Sequence, residues 1–394
     1  MSMPEILLIL LTVALLLPAS VFFMQVLSAL SPRRTQPMPV GRRPAVAIIV
    51  PAHNESLLIA HTLHSIRAQL TADDRLLVVA DNCTDDTARI AAEAGAEVIE
   101  RNNSTQRGKG YALDFGVRHL VQDPPEAVLI IDGDCAVADN AIERLAKTCL
   151  ATGLPVQALY LMRTPAGASL KTRIAGFAWL VKNQVRPLGF SRLGLPCQLM
   201  GTGMALPWSA ISRATLASGH IVEDLKLGID LTCAGMPPLF CPEACVSSHF
   251  PVTRQGFADQ RKRWEHGHLG MIFGVAPGLL AQALVRGNLP LLALALDLCV
   301  PPLALLMLLA ITAFAGSVAW FAYSGAALPL GLATAALGML ATAVLLAWAY
   351  HGRSVISLRD LACAPLYALW KIPLYVKFLV KRQGAWVRTR RGTE

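Results

Sequence analysis

Residues 127–134 read Ala-Val-Leu-Ile-Ile-Asp-Gly-Asp, five apolar residues that stop at two carboxylates with a glycine between them. A run this short, bounded by turn residues, reads as a strand buried on both faces. The pattern recurs upstream. Residues 45–50 form a β-branched run closed by Pro51-Ala52-His53-Asn54-Glu55, and residues 76–80 form one closed by Asp81-Asn82-Cys83-Thr84-Asp85. Residues 97–99 add a further short strand. Between them, residues 56–69 carry Leu57, Leu58, Leu63 and Ile66 at helical spacing, and residues 85–94 and 109–120 read as two more helices. Strands of this kind, alternating with helices, build a mostly parallel sheet covered on both faces. Such sheets bind ligands in the crevice beyond the carboxyl ends of their strands, so the residues just after each strand carry the expected chemistry.

Taken singly, each acidic cluster has a plain structural explanation, because Asp, Asn and Thr favour helix caps and turns; for Asp85 that explanation is preferred. Taken together, the clusters converge on one sheet edge. Asp132 and Asp134 leave the strand one residue apart and are expected to project to the same side, with Gly133 permitting close backbone approach. Their hard oxygens suit Mg2+ or Mn2+ held jointly with substrate phosphates. Arg107-Gly108-Lys109-Gly110 opens a helix and offers an ammonium and backbone N–H groups to an anion; a diphosphate matches both features. Displacing a diphosphate leaving group needs positive charge at the leaving oxygens and, where the acceptor is a hydroxyl, a carboxylate base beside it. Glu223 and Asp224 are adjacent, so on a helix they point about 100° apart and one of them is expected to turn away. A dinucleotide-binding oxidoreductase is the competing class, but after Gly201-Thr202-Gly203 the third glycine is replaced by Leu206 and no strand with a fingerprint turn precedes. A non-enzymatic scaffold is the other competitor; it would be expected to lose acids that are all present at 81, 132, 134 and 224.

In this order and spacing the chain resembles the family-2 glycosyltransferases, inverting enzymes with the α/β GT-A fold, a Rossmann-like, mostly parallel sheet. Within them it is similar to the membrane-anchored branch that includes cellulose, chitin and hyaluronan synthases and ceramide glucosyltransferase. The resemblance covers residues 46–269. It rests on Pro51 to Glu55, Asp81, Gly108-Lys109, Asp132-Gly133-Asp134, Gly201-Thr202-Gly203, Val222-Glu223-Asp224 and Gln260-Arg261-Lys262-Arg263-Trp264, the last matching the family's QxxRW signature. It implies that Pro51, Asn54, Glu55 and Asp81 line the uracil and ribose pocket and that Lys109 lies along the nucleotide. Asp132 and Asp134 would hold the nucleotide and the metal, with Asp134 as the metal ligand. Asp224 would be the general base, and Gly201, Thr202, Gly203, Glu223, Gln260, Arg263 and Trp264 would contact the acceptor and the diphosphate. Two departures stand out: Val222 replaces the usual Thr or Ser before the Glu-Asp pair, and the second strand ends Ala80-Asp81-Asn82 where Asp-Asp or Asp-Gly is commoner.

Outside this central region the chain is apolar. Of its 394 residues 15% are charged, against about 25% in ordinary soluble proteins, and mean hydropathy is +0.49; both exclude disorder and point to a membrane protein. Residues 6–30, 289–315 and 326–350 are each long enough to cross a bilayer, the last two forming a hairpin through residues 316–325. Basic residues follow the first span, at 33, 34, 42 and 43, and fill the tail at 351–391. The positive-inside rule then places the N-terminus outside and the central domain in the cytosol, with the first span as an uncleaved anchor because its charges follow rather than precede it. The expected organisation is an anchor at 1–31, a catalytic domain at 40–268, an interfacial helix at 269–288, a transmembrane hairpin at 289–350 and a basic interfacial and cytosolic tail at 351–394. The net charge of +9 reads as attraction to anionic membrane lipids, not to nucleic acid, since no basic helix with interleaved aromatics occurs.

Nine cysteines without a CxxC pair read as buried small side chains rather than as zinc ligands or disulfides. His53, His249, His266 and His268 are expected to be structural or on the surface. Asp297 lies within a proposed span and is either a functional flag or close enough to the end to reach the interface. Arg261 to Trp264 also have a competing explanation as an interfacial anchor. Three spans favour transfer of a sugar from a UDP-sugar donor to a polyprenyl-linked saccharide acceptor in exopolysaccharide or cell-envelope assembly at a bacterial cytoplasmic membrane. The alternatives are a processive β-glycan synthase, completed by homo-oligomerisation or other polysaccharide-assembly proteins, and a glycolipid glucosyltransferase.

Overall fold

The computed structural model of the protein describes residues 2–32, 36–165, 167–251 and 253–380. Arg33 and Arg34 of the first basic flank, and residues 381–394 of the basic tail, lie outside the described residues. Contacts divide the chain into two compact units, one built around Arg33–Arg163 and Leu195–Arg263, the other from Met1–Pro32, Thr164–Gly194 and Trp264–Gln383. Residues Thr164–Gly194, inside the block expected as one domain, thus group with the apolar helices.

The first unit holds an eight-stranded sheet: β1 (Val46–Ala52), β2 (Arg75–Asp81), β3 (Glu97–Arg101), β4 (Ala127–Ile130), β5 (Ala136–Val137), β6 (Val156–Arg163), β7 (Met204–Pro207) and β8 (Leu239–His249), in the spatial order β3-β2-β1-β4-β7-β6-β8-β5. The β1–β2, β2–β3, β1–β4 and β6–β8 pairs are parallel, and β7 enters antiparallel between β4 and β6. The expected mostly parallel α/β sheet is therefore present. Its strands are apolar because both faces are covered: on one face Ala47, Ile49, Leu77, Val79, Val128 and Ile130 share a core cluster with Leu113 and Val117 of the helix Lys109–Leu120 and Leu227 and Leu231 of the helix Glu223–Cys233, and on the other Ile48, Val50, Val78 and Leu129 are fully buried as well. Each such side chain contributes about 1.5–3 kcal/mol of burial. Gly116 lets the helix approach; a Cβ there would lie 3.0 Å from Val79 and 3.2 Å from Ile49.

Two sequence expectations shift at this edge. β1 continues through Pro51 instead of ending before it. The Ile49 carbonyl faces β4, accepting from Ile131, so two residues later the missing N–H of Pro51 faces the same side, where β4 no longer pairs; no ladder bond is lost. The following helix spans Ile59–Arg67 rather than starting at 56, because the Glu55 carbonyl accepts from both Leu58 and Ile59 N–H (2.9 Å each) and holds 55–58 as a turn.

The second unit contains helices Met3–Ala29, Leu303–Ser324 and Ala327–Gly352, each long and apolar enough to cross a membrane; a bent pair, Gln255–Gly274 with Ala276–Arg286, 47° apart, belongs to it from Trp264 onward. The proposed hairpin needs correction. Leu289–Leu298 is a separate ten-residue helix, since Pro301 and Pro302 cannot continue it, and the next helix begins at Leu303. That helix runs on through Gly316 to Ser324 and is stopped by Gly325 in the left-handed conformation (φ 74°), so the connection is not 316–325 but the short link before Ala327. The stretch 358–380 forms three short helices, Leu358–Ala362, Ala364–Trp370 and Ile372–Val380, with Leu366, Leu369, Trp370, Val376 and Leu379 exposed. His266 and His268 are buried, each ring Nε2 meeting a backbone carbonyl, of Leu374 and Leu298 respectively, in keeping with the structural role expected for them.

Asp297 is buried and is not alone. Its Oδ1 accepts from Arg186 Nη2 (2.7 Å) and from Gln25 Nε2 (2.5 Å), while Arg186 Nε donates to Gln25 Oε1 (3.0 Å). All three are buried, which ties the first apolar helix, the helix Arg186–Arg192 and the helix Leu289–Leu298 together. The approach is close enough to require Gly189, where a Cβ would fall 1.9 Å from the Gln25 carbonyl oxygen. Asp297→Leu leaves Arg186 buried without its counter-charge, and is expected to cost about 3–5 kcal/mol. Thermal unfolding in detergent should show that loss, with most of it recovered in Asp297→Leu/Arg186→Leu; equal melting of the single variant and the parent would refute the coupling.

Candidate active site

The carboxyl ends of β1, β2 and β4 bring the predicted residues to one edge, and Lys109 stands at their centre. Gly108 has φ 127°, a conformation suited to glycine, and turns the chain into the helix Lys109–Leu120. Lys109 Nζ donates to Asp132 Oδ1 and to the Gly201 carbonyl (2.8 Å). Gly201, at φ 89°, exposes its backbone beneath this group: a Cβ there would lie 3.3 Å from Asp224 Oδ2 and 3.6 Å from Lys109 Nζ. Thr202 Oγ1 accepts from the Asp132 N–H (3.0 Å). Gly203 closes the turn at φ 66°, where a Cβ would strike Ala158 at 2.8 Å and Val246 at 2.9 Å. The 201–203 segment is thus a fitted ledge under Asp132, Lys109 and Asp224.

Burial alone would lower the Lys109 pKa, but the charges of Asp132, Glu223 and Asp224 outweigh it and raise it. Glu223 responds in the opposite sense. Burial and the neighbouring Asp224 push its pKa up from 4.5 to about 7, against the pull of Lys109 and Arg263. Glu223 and Asp224 both line one hollow with Gly110, Leu113, Met204 and Ser218. They sit in the first turn of the helix Glu223–Cys233, where the side chains fan over the helix end, and Asp224 Oδ1 caps the N–H of Leu225 (2.9 Å).

Asp134 diverges from Asp132. Its Oδ2 accepts from Ser248 Oγ (2.7 Å), next to exposed His249 at the end of β8, whereas Asp132 is held by Lys109. The expected shared direction of the two carboxylates therefore becomes two different sets of partners, because the strand has ended before Asp132 and the chain turns at 133–134 instead of continuing as strand. Gly133 fits tightly, a Cβ there lying 3.2 Å from Ile59 and 3.6 Å from Glu55. Among the described residues no group of three or more His, Cys, Asp or Glu side chains is arranged to hold a metal. The hard oxygens of Asp132 and Asp134 nonetheless fit Mg2+ or Mn2+ as a partial sphere that phosphates and water would complete.

On the β1–β2 side, Asn54 (φ 56°) exchanges two hydrogen bonds with Thr84, 2.9 Å and 2.7 Å. The Glu55 N–H donates to Thr87 Oγ1 (2.8 Å), and Pro51 pairs in register with Val79. Asp85 accepts from Thr87 and Ser56, the capping role expected of it, and His53 Nδ1 meets the Asp81 carbonyl (2.6 Å). Asp81 is buried against Arg101 (2.6 Å). Gln260 is buried, with Oε1 lacking a hydrogen-bond partner, and Arg263 lies in the same unit, its charge acting on Glu223. Trp264 falls in the other unit and packs on Trp179, ring centroids 4.6 Å apart. Three residues absent from the sequence expectation belong here: Arg101, Ser248 and Gln157, whose amide spans the Thr202 carbonyl (2.9 Å) and the Met200 N–H (2.8 Å). Arg101 could have been found by the rule that singled out the others, since it closes β3 as Asp81 closes β2.

Comparison with known proteins agrees with this geometry. The family described as Glycosyl transferase family 2 matches residues 47–159, and that described as Glycosyl transferase family group 2 matches residues 127–363. The 4,4'-diaponeurosporenoate glycosyltransferase of Staphylococcus aureus (strain USA300) is 36% identical over 105 residues, 26% of this chain and 27% of that one. The Bacillus subtilis (strain 168) protein named Probable glycosyltransferase YdaM is 26% identical over 245 residues, 57% of this chain and 55% of that one. The chain thus spans about a quarter to a half of the length of these relatives. Among solved structures, the mannosyltransferase PcManGT from Pyrobaculum calidifontis, in complex with GDP-Man and Mn2+, superposes with TM-score 0.59 at 18% identity, covering 95% of this chain and 100% of that one; this shows the GT-A fold.

Glu223 supplies a pH test. Its folded pKa of about 7 stands above the ordinary 4.5, so the native state binds the proton more tightly than the unfolded chain does. The stability this contributes is complete below pH 4.5 and is lost as pH rises through 7. Melting temperatures measured across that window should fall less steeply in Glu223→Gln than in the parent; parallel curves would remove the assignment.

Proposed function

Because the chain belongs to glycosyl transferase family group 2, we propose that it transfers a sugar with inversion from a UDP-sugar to a lipid-linked saccharide, with Asp224 as general base. The observation that carries this reading is the meeting of Asp132, Lys109 and Asp224 over Gly201, three groups distant in sequence. Lys109 is placed to meet the negative charge of a departing diphosphate. Asp224 stands beside it with Oδ2 next to Gly201 and lines the hollow suited to an incoming acceptor hydroxyl. A divalent cation held through Asp132 and Asp134 would supply further counter-charge to the leaving group. Asn54, Glu55, Pro51 and Asp81 stand on the β1–β2 side, suited to the nucleoside, while Arg263, whose charge acts on Glu223, and Gln260, three residues before it on the same helix, are suited to diphosphate and acceptor.

Three helices with spanning length and hydropathy support a lipid-linked acceptor reached from the bilayer, and the basic flanks support a cytosolic site. The Staphylococcus relative is named for transfer to one defined acceptor, 4,4'-diaponeurosporenoate, which supports single addition over polymer synthesis. The test is UDP release by the detergent-purified protein with Mn2+ or Mg2+, a UDP-sugar panel and polyprenyl-linked acceptors, with products sized. Asp224→Asn should lower acceptor-dependent turnover by about 10²–10⁴-fold while UDP still binds; undiminished turnover would remove Asp224 as base, and a polymer ladder would remove single addition.

A further inference from the structure

Asp81 and Arg101 stand side by side at the ends of β2 and β3, Cα partners in the parallel register. Both side chains are about nine-tenths buried. Their contacts are lopsided. Arg101 Nη1 (2.6 Å) and Asn82 Nδ2 (2.9 Å) both donate to Oδ1 of Asp81, and no hydrogen bond reaches Oδ2 among the described residues. The same guanidinium holds the loop that leads to Gly108-Lys109: Nη1 donates to the Gln106 carbonyl (2.9 Å), and the group lies 5.4 Å from the Tyr111 ring centroid. Asn82, at φ 53°, also receives the Asn103 N–H (2.8 Å) on its Oδ1, so the carboxylate is fixed from two sides.

We propose that Arg101 is a positioning residue for donor selection, holding Asp81 so that it presents a single acceptor oxygen, Oδ2, to the nucleobase. This rests on the reading of the crevice as a nucleotide-sugar site. Uracil offers one imide N–H flanked by carbonyl oxygens. A carboxylate facing it with both oxygens would set one of them against a carbonyl, whereas here Oδ1 is occupied by cationic and amide donors. Guanine offers two adjacent N–H donors and is best matched by a carboxylate with both oxygens available. Filling Oδ1 therefore favours uracil and rejects guanine through an unpaired buried donor.

The test is titration of UDP and of GDP, with Mn2+, into the full-length protein in detergent, for the parent, Arg101→Met and Arg101→Lys, with each variant's melting temperature recorded. The parent is expected to prefer UDP. Arg101→Met is expected to weaken UDP about tenfold or more and to weaken GDP less, narrowing the ratio; Arg101→Lys, which keeps a cationic donor, is expected to restore most of the preference. With a UDP-sugar, KM for the donor should rise more than kcat falls. A parent that binds neither nucleotide overturns the nucleotide-sugar reading and this assignment with it. A parent that binds GDP as tightly as UDP, or variants that lose both nucleotides by the same factor, overturn the assignment alone, and if Arg101→Met does not fold, the ratio in Arg101→Lys decides.

Discussion

A lysine ammonium among carboxylates organises the crevice at the carboxyl ends of the strands. Lys109 is placed by the left-handed turn at Gly108, reaches Asp132 and the Gly201 carbonyl, and lies close enough to Glu223 and Asp224 for their charges to raise its pKa. Without that cation, several acids would crowd one desolvated ledge. Even with it, burial and the neighbouring Asp224 outweigh the pull of the cation, which is why Glu223 holds its proton up to about 7. The imbalance has a functional meaning. A diphosphate brings more negative charge into the same space, so a site of this composition is suited to bind it only together with a cation, and the oxygen donors of Asp132 and Asp134 are of the kind that hold one.

The ledge itself is backbone. Gly201 and Gly203 adopt positive φ, and Cβ atoms at these positions would meet Asp224 and Lys109 in one case and the Ala158–Val246 core in the other. The segment that resembled a fragment of a dinucleotide fingerprint is explained by this packing: its glycines admit neighbouring side chains and strands. Gln157, buried on β6, fixes the ledge from below through Thr202 and Met200.

In the membrane-type unit a different balance holds. Arg186, Asp297 and Gln25 saturate one another in a buried network, and Gly189 removes the steric obstacle to their meeting. An ionised group in an apolar helix is tolerated because its partner arrives from another helix, and the same pairing orients the first apolar helix against its neighbours.

Much of this was legible in the chain. Alternating apolar runs and helical spacings identified the sheet, because burial on both faces leaves a continuous apolar signature, and the acids after β1, β2 and β4 announced the crevice, because parallel strands deliver their carboxyl ends to one edge. Local chemistry also marked the apolar helices, though Pro301-Pro302 and Gly325 outweighed hydropathy in setting where they end. Only the tertiary structure decided the pairings: Arg101 with Asp81, Ser248 with Asp134, Arg186 with Asp297, and Glu223 turned toward the same hollow as Asp224. These depend on strand register and on how side chains fan from a helix end, and neither is encoded in the spacing of residues along the chain; the first three pairings join residues 20, 114 and 111 positions apart that packing alone brings within a hydrogen bond.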